Sequence, residues 1–187
     1  MPGPPFLEGE TVTLRPIEED DLAFLQRAVN DPAIWRPIGR PEPVNAVQER
    51  EFFEEQVCGG EGVSLLVTAE NATRVGIVSL TRVDHEAGCA EVGYWIEPDH
   101  QREGYASEAV SLLATYGFDQ RNFHRLEARV FDWNEGSQQL LESLGFKEEG
   151  VFRDRAFIDG AYRNAVWYGL LAEEWNSAEH RETGNRD

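Results

Sequence analysis

Apolar and polar positions alternate along residues 11–17 (TVTLRPI), the period of two that predicts a strand. Residues 18–29 (EEDDLAFLQRAV) change to a helical period, with acidic residues in the first turn, where the helix dipole favours them. The proline-punctuated stretch 31–43 carries Trp35 and reads as a loop. Residues 45–57 are helical again, with Phe52 and Phe53 on the apolar side. Two strand-like runs, 63–69 and 74–84, are joined across Glu-Asn-Ala-Thr as a hairpin, and 89–96 is a further strand. A helix from Tyr105 to Gln120, a strand over 125–131 and a helix over 135–144 follow. Residues 145–153 turn into a strand, and 161–175 begin as a strand and end as a helical turn. Runs of like elements, rather than strict alternation, predict one α+β domain over residues 1–175. The polar end, 176–187, is expected to be a disordered tail.

A chain of 187 residues is long enough for a core that stands without staples. No apolar stretch approaches the roughly 20 residues of a membrane helix. The opening MPGPPFLEGE lacks the basic and apolar regions of a secretory leader, so a cytoplasmic protein with no membrane partner is expected. Cys58 and Cys89 stand in unrelated contexts, and His85, His100, His124 and His180 are scattered without ligand spacing. Neither a disulfide nor a metal site is expected.

Charge changes the picture more. Asp plus Glu number 35 against 17 Lys plus Arg, a net charge of −18, and Lys147 is the only lysine. A hydrated carboxylate shell suited to a high-salt (halophilic) cytoplasm produces this pattern, at the cost of self-repulsion in dilute buffer. A genome rich in G and C also exchanges Lys for Arg. Either way the balance speaks against a nucleic-acid partner, which needs a basic face.

Two places could carry chemistry. On strand 89–96, Ala90, Val92, Tyr94 and Ile96 share one face, and Glu91, Gly93 and Trp95 the other. Glu91 is therefore either a solvated side chain on an open face or a carboxylate aimed into a cleft. After Pro98, the stretch DHQREGYASEA (99–109) sets Gln101, Arg102, Glu103, Gly104, Tyr105, Ala106 and Ser107 at the mouth of the long helix. It reads as a plain helix start or as an anion site, since N-terminal N–H groups can converge on a phosphate. No G-x-x-x-x-G-K-[ST] or strand-linked G-x-G-x-x-G is present, which disfavours nucleoside triphosphates and dinucleotides. Asn134 is placed to cap helix 135–144.

Q-R-E-G-Y-A at 101–106 resembles the pyrophosphate loop Q/R-x-x-G-x-G/A of the GNAT acetyltransferase superfamily. NEGSQQLLESLGF at 134–146 resembles its second signature, N-x-x-S/A-x-x-L-x-x-x-x-G-F. AEVGYWIEP, YASEA and the closing YRNAVWYGLLAEEW resemble the branch that acetylates ribosomal-protein N-termini, and the likeness runs from VTLRPIEEDD to Trp175. The resemblance implies an acyl-coenzyme A N-acyltransferase fold, a mixed, mostly antiparallel sheet flanked by helices. It also implies acetyl-coenzyme A as cosubstrate, with direct transfer to an amine, preferably a protein N-terminal α-amine. A small amine, or coenzyme A binding without turnover, are the alternatives.

By the same resemblance, 101–107 hold the pyrophosphate. A strand that splays from its neighbour, often at a bulge, offers main-chain groups near Tyr94, Trp95 and Ile96 to the pantetheine arm, and Asn134 binds that arm. Glu91 is the candidate base, and Ser137 the candidate hydrogen-bond donor to the thioester sulfur. Many members place a tyrosine where this chain has Leu141, and many place Asp where it has Asn164. Family precedent allows a monomer or a homodimer. Glu108 is expected to be structural, and Trp35 with the 31–43 loop could line the acceptor side or lie elsewhere.

Overall fold

The computed structural model describes residues 2–175; the expected tail 176–187, His180 included, lies outside them. The strands are β1 (Leu7–Glu8), β2 (Thr13–Pro16), β3 (Val63–Thr68), β4 (Arg74–Asp84), β5 (Cys89–Ile96), β6 (Arg125–Phe131), β7 (Lys147–Ile158) and β8 (Ala161–Leu171). The helices are α1 (Leu22–Val29), α2 (Pro32–Ile38), α3 (Ala46–Phe52), α4 (Tyr105–Asp119) and α5 (Glu135–Ser143). One mixed sheet runs β1-β2-β3-β4-β5-β6-β8-β7. Among the described residues β5–β6 is the parallel pair and the rest are antiparallel. This is the expected α+β architecture.

Period and packing agree. Ala109, Val110, Leu113, Ala114 and Phe118 recur at helical spacing along α4 and meet Leu80, Val92, Leu126 and Tyr168 in the main core, which Leu141 of α5 also enters. On the opposite face Phe24 and Leu25 of α1 and Ile34 of α2 pack on Leu66 and Trp95. Each such side chain contributes roughly 1.5–3 kcal/mol by leaving water.

Three expectations change. Residues 32–38 of the expected loop form α2: Asp31 Oδ1 accepts the Ala33 N–H at 2.7 Å, Pro32 opens the first turn, and Gly39 closes the helix at φ 69. Pro37 falls in the last turn, so in so short a helix it removes a single internal bond. The last hairpin is longer than expected, β7 running to Ile158. Asp159 and Gly160 turn it with φ 51 and 77, the two positive values that a tight I′ turn requires. The two-residue β1 exists only through its pairing with β2, with no local pattern to announce it.

Two carboxylates tie distant segments together. Asp21, 0% exposed, receives the Arg74 Nε–H at 2.6 Å on one oxygen and the Glu18 N–H at 2.9 Å on the other. Glu108 of α4 accepts the Thr11 N–H at 3.0 Å and also bonds the Thr11 hydroxyl and the Glu10 N–H, so it is structural, as expected. Burial pushes its pKa up, but the bonds from the Thr11 hydroxyl and from the Thr11, Glu10 and Val12 backbone outweigh that, leaving it below the ordinary 4.5. A lowered folded pKa stabilises above the unfolded value, and the contribution is lost as pH falls through the folded one. Glu108→Gln is therefore expected to melt below the parent at pH 7, with the gap closing as pH drops below 4.5; paired melting curves check it.

Candidate active site

β5 and β6 pair for three residues only, Cys89–Glu91 against Arg125–Glu127. Beyond them each strand stays with its antiparallel partner: β5 with β4 out to Ile96↔Gly76, β6 with β8 out to Phe131↔Ala165. The V between them opens a cleft of about 700 Å³. Glu97 N–H bonds Val75 C=O on the β4 side, so alternation turns the main-chain groups of Val92, Tyr94 and Ile96 toward the gap and those of Trp95 toward β4. The Gln101 side chain donates to Ile96 C=O at 2.9 Å, which braces the loop against the strand end. The expected splay is thus present without a bulge inside β5 between Glu91 and Ile96. The irregularity lies in β4, between Thr81 and Asp84, where Arg82 takes φ 49.

At the cleft mouth, Arg102 (φ 68) and Gly104 (φ 83) curl the chain into α4. No side chain caps this helix, and among the described residues the Tyr105, Ala106 and Ser107 N–H groups have no hydrogen-bond partner. Three adjacent free donors thus stand at the positive end of a 15-residue helix, the kind of helix start that suits an anion. Gln101, Arg102, Gly104, Tyr105, Ala106 and Ser107 line the cleft, as do Trp95 and Ile96; Glu103 is exposed and does not line it.

The far wall is the start of α5. Asn134 Oδ1 accepts the Ser137 N–H at 3.3 Å, so Asn134 is the helix cap, and both residues line the cleft. Leu141 is fully buried in the core and offers the cleft nothing. A hydroxyl does reach this corner, that of Tyr94, 3.5 Å from the Ser137 carbonyl. Burial pushes its pKa up to about 12, against a smaller lowering by its hydrogen bond with Ser137, so the phenol stays protonated at any ordinary assay pH. Sequence reasoning used only the backbone here, although the alternation of β5 already set Tyr94 opposite Glu91.

Glu91 lies on the opposite face, 15% exposed, and its Oε2 accepts from Arg82 Nη1 at 2.7 Å. Arg129 of β6 also lines the cleft; burial lowers its guanidinium pKa, Glu91 opposes that, and Arg82 and Arg155 add to it. Ala33, Ile34, Pro37 and Ile38 of α2 form a further wall of the cleft. Trp35 does not line the cleft; Arg36 stacks over its ring at 5.2 Å and pairs with Asp159 at 3.1 Å. Asn164 Oδ1 accepts the Asp154 N–H at 2.9 Å at the irregularity in β7, so it braces the hairpin. No helix among the described residues is long and apolar enough to cross a membrane, and no cluster among them could hold a metal ion.

A mixed sheet split between its parallel strands, with an uncapped helix start at the split, defines a class that comparison with known proteins identifies. Residues 11–147 match the acetyltransferase (GNAT) domain model, and the chain belongs to that family. It is 29% identical over 174 residues to spermidine N(1)-acetyltransferase of Escherichia coli (strain K12), covering 93% of this chain and 92% of that protein. It is 35% identical over 100 residues to the putative ribosomal N-acetyltransferase YdaF of Bacillus subtilis (strain 168), covering 54% and 55%. Among solved structures, spermidine N-acetyltransferase from Vibrio cholerae in complex with CoA and spermine superposes with a TM-score of 0.84 at 25% identity, over 90% of this chain and 99% of that one. The chain is an N-acetyltransferase, and enzymes of its family use acetyl-coenzyme A.

Proposed function

We propose that the enzyme moves the acetyl group of acetyl-coenzyme A to the α-amine of a protein N-terminus, in a ternary complex within the β5–β6 cleft. The free N–H groups of Tyr105, Ala106 and Ser107, with Arg102, take the pyrophosphate. Tyr94 and Ile96 offer the pantetheine amides the main-chain groups that β6 leaves unpaired, as an added strand would use them. The neutral amine nitrogen attacks the thioester carbon, the C–N bond forms, the C–S bond breaks and the electron pair leaves on sulfur. The amine's surplus proton passes through water to Glu91 Oε1, the oxygen that Arg82 does not hold. The departing thiolate takes a hydrogen bond from the Ser137 hydroxyl, with the Tyr94 phenol beside it as a second donor, and leaves as the thiolate, which takes its proton from solvent water on release.

The charge of the cleft carries the choice of acceptor. The charged side chains lining it are Glu91, Arg102 and Arg129, beside His100, and the one carboxylate is already paired with Arg82. Such a wall gives a polyamine's several cations little to pair with. An α-amine, with a free pKa of about 7.7–8.0, needs one modest base. The similarity to the putative ribosomal N-acetyltransferase supports this reading, and that to the spermidine acetyltransferases supports a second, a small amine acceptor.

Mass spectrometry decides between them. Acetyl-coenzyme A is offered in molar KCl with a free α-amine peptide, an α-blocked peptide carrying lysine, and spermidine. Acetylation of the α-amine alone is the expected result; spermidine as the sole product overturns it. Glu91→Gln is expected to lower turnover by about 10²-fold at pH 7, the usual scale of general-base assistance, and to recover toward high pH as more amine is neutral. Unchanged turnover at both pH values removes Glu91 from the reaction.

The charge of −18 is read as adaptation to high salt. Screening relieves carboxylate repulsion, so the melting temperature is expected to climb from dilute buffer to molar KCl. A flat curve leaves base composition as the explanation.

A further inference from the structure

Arg129 has no task in the transfer described above. It stands on β6 just past the last β5 pair, half-buried, lining the cleft on the same face as Glu91. Its guanidinium carries five donors and makes no hydrogen bond or ion pair with any described residue. The guanidinium is open to the cleft rather than sealed in the core, so its donors are available to an acceptor group of a bound molecule. The carboxylate that acts on its charge, Glu91, is already held by Arg82 at 2.7 Å. Farther along the same face, Arg163 of β8 keeps a buried Nε with no partner. Arg82 and Arg155 stand near enough to act on the charge of Arg129, so positive charge gathers here in a protein whose net charge is −18.

We propose that Arg129 selects the acceptor, binding a carboxylate carried within about one residue of the reacting amine. The inference rests on the α-amine reading and narrows it to amines followed closely by an acidic group. A planar guanidinium matches a carboxylate with two parallel N–H···O bonds, a fit that neither an amide nor a cation reproduces. The carboxylate could belong to an acidic side chain of a peptide or to a free amino acid, and the experiment separates the two.

Initial rates of acetylation are measured in molar KCl, where the Debye length of about 3 Å suppresses the repulsion that the protein's overall charge exerts on acidic peptides. The acceptors are peptides alike except for Glu, Gln or Lys at the second residue, together with free alanine, alaninamide and spermidine. The expected result is kcat/KM at least about tenfold higher for the Glu than for the Gln peptide, the scale of one charge-assisted pair. In Arg129→Gln that ratio falls to about one, and in Arg129→Glu the order reverses toward the Lys peptide. Melting temperatures of both variants verify folding. Free alanine preferred over alaninamide, with the preference lost in Arg129→Gln, supports the same contact with an amino acid as the source. Equal rates for the Glu and Gln peptides and for alanine and alaninamide overturn the inference, as does a preference that survives Arg129→Gln. Either result leaves the α-amine reading standing. A parent enzyme that acetylates spermidine and no α-amine overturns the reading and the inference with it.

Discussion

Gly104→Asp is expected to raise the KM for acetyl-coenzyme A by about a hundredfold, the effect of roughly 3 kcal/mol from weakened charge-assisted hydrogen bonds and a like charge at an anion site. Position 104 has φ 83, a region that Asp tolerates better than most side chains, and a Cβ there meets nothing within 4 Å. The fold is therefore expected to survive. The new carboxylate would stand at the end of α4 where the Tyr105, Ala106 and Ser107 N–H groups converge, and would compete for them with the pyrophosphate. Gly104→Asn, similar in shape and uncharged, separates charge from backbone strain and is expected to cost much less. Steady-state KM and calorimetric binding of coenzyme A, beside melting curves, test the pair. Equal, small effects for both variants would mean that the loop does not carry the pyrophosphate.

Arg74→Ala is expected to destabilise the fold by about 3–5 kcal/mol, because it leaves a buried carboxylate without its counter-charge. Asp21 is 0% exposed, and the Arg74 Nε–H at 2.6 Å is its link to the β3–β4 side of the sheet. For a chain of this size the melting temperature should fall by roughly 6–20 °C. Asp21→Asn keeps an oxygen for the Glu18 N–H and gives up the charge, so its loss should be smaller. A double variant, Asp21→Asn with Arg74→Ala, is expected to be less destabilised than the two single losses summed, since neither charge is then stranded. Additive losses would show that the pair acts through its separate contacts.

The site was legible in the sequence where it is built from neighbours in the chain. Gln101 to Ser107 become a loop and an uncapped helix start through the torsions of Arg102 and Gly104 alone, and Asn134 caps α5 three residues before Ser137. Local signals for α2 and for the final hairpin were also present, in Asp31-Pro32 before Gly39 and in Asp159-Gly160. The prolines around the first, and the interrupted alternation through Arg153-Asp154-Arg155 before the second, obscured them. Trp35 illustrates the opposite limit. A tryptophan beside a cleft-lining helix is ambiguous until the helix is rotated into place, and it then faces Arg36 rather than the cleft.

By itself the sequence determined the order of the elements, the α+β class, the turn into α4 and the cap of α5, because alternation, helical period and end-capping act over a few residues. Tertiary structure decided everything that depends on register between remote segments. β5 keeps β4 and β6 keeps β8 after three shared pairs, and this opening alone exposes the main chain of Tyr94 and Ile96. The same register sets the Tyr94 phenol beside Ser137, 43 positions away, commits Glu91 to Arg82, and brings Arg129 unpartnered to the cleft wall. A strand's sequence states which residues share a face. Which strand ends without a neighbour is a property of the whole sheet, and the candidate site lies at that ending.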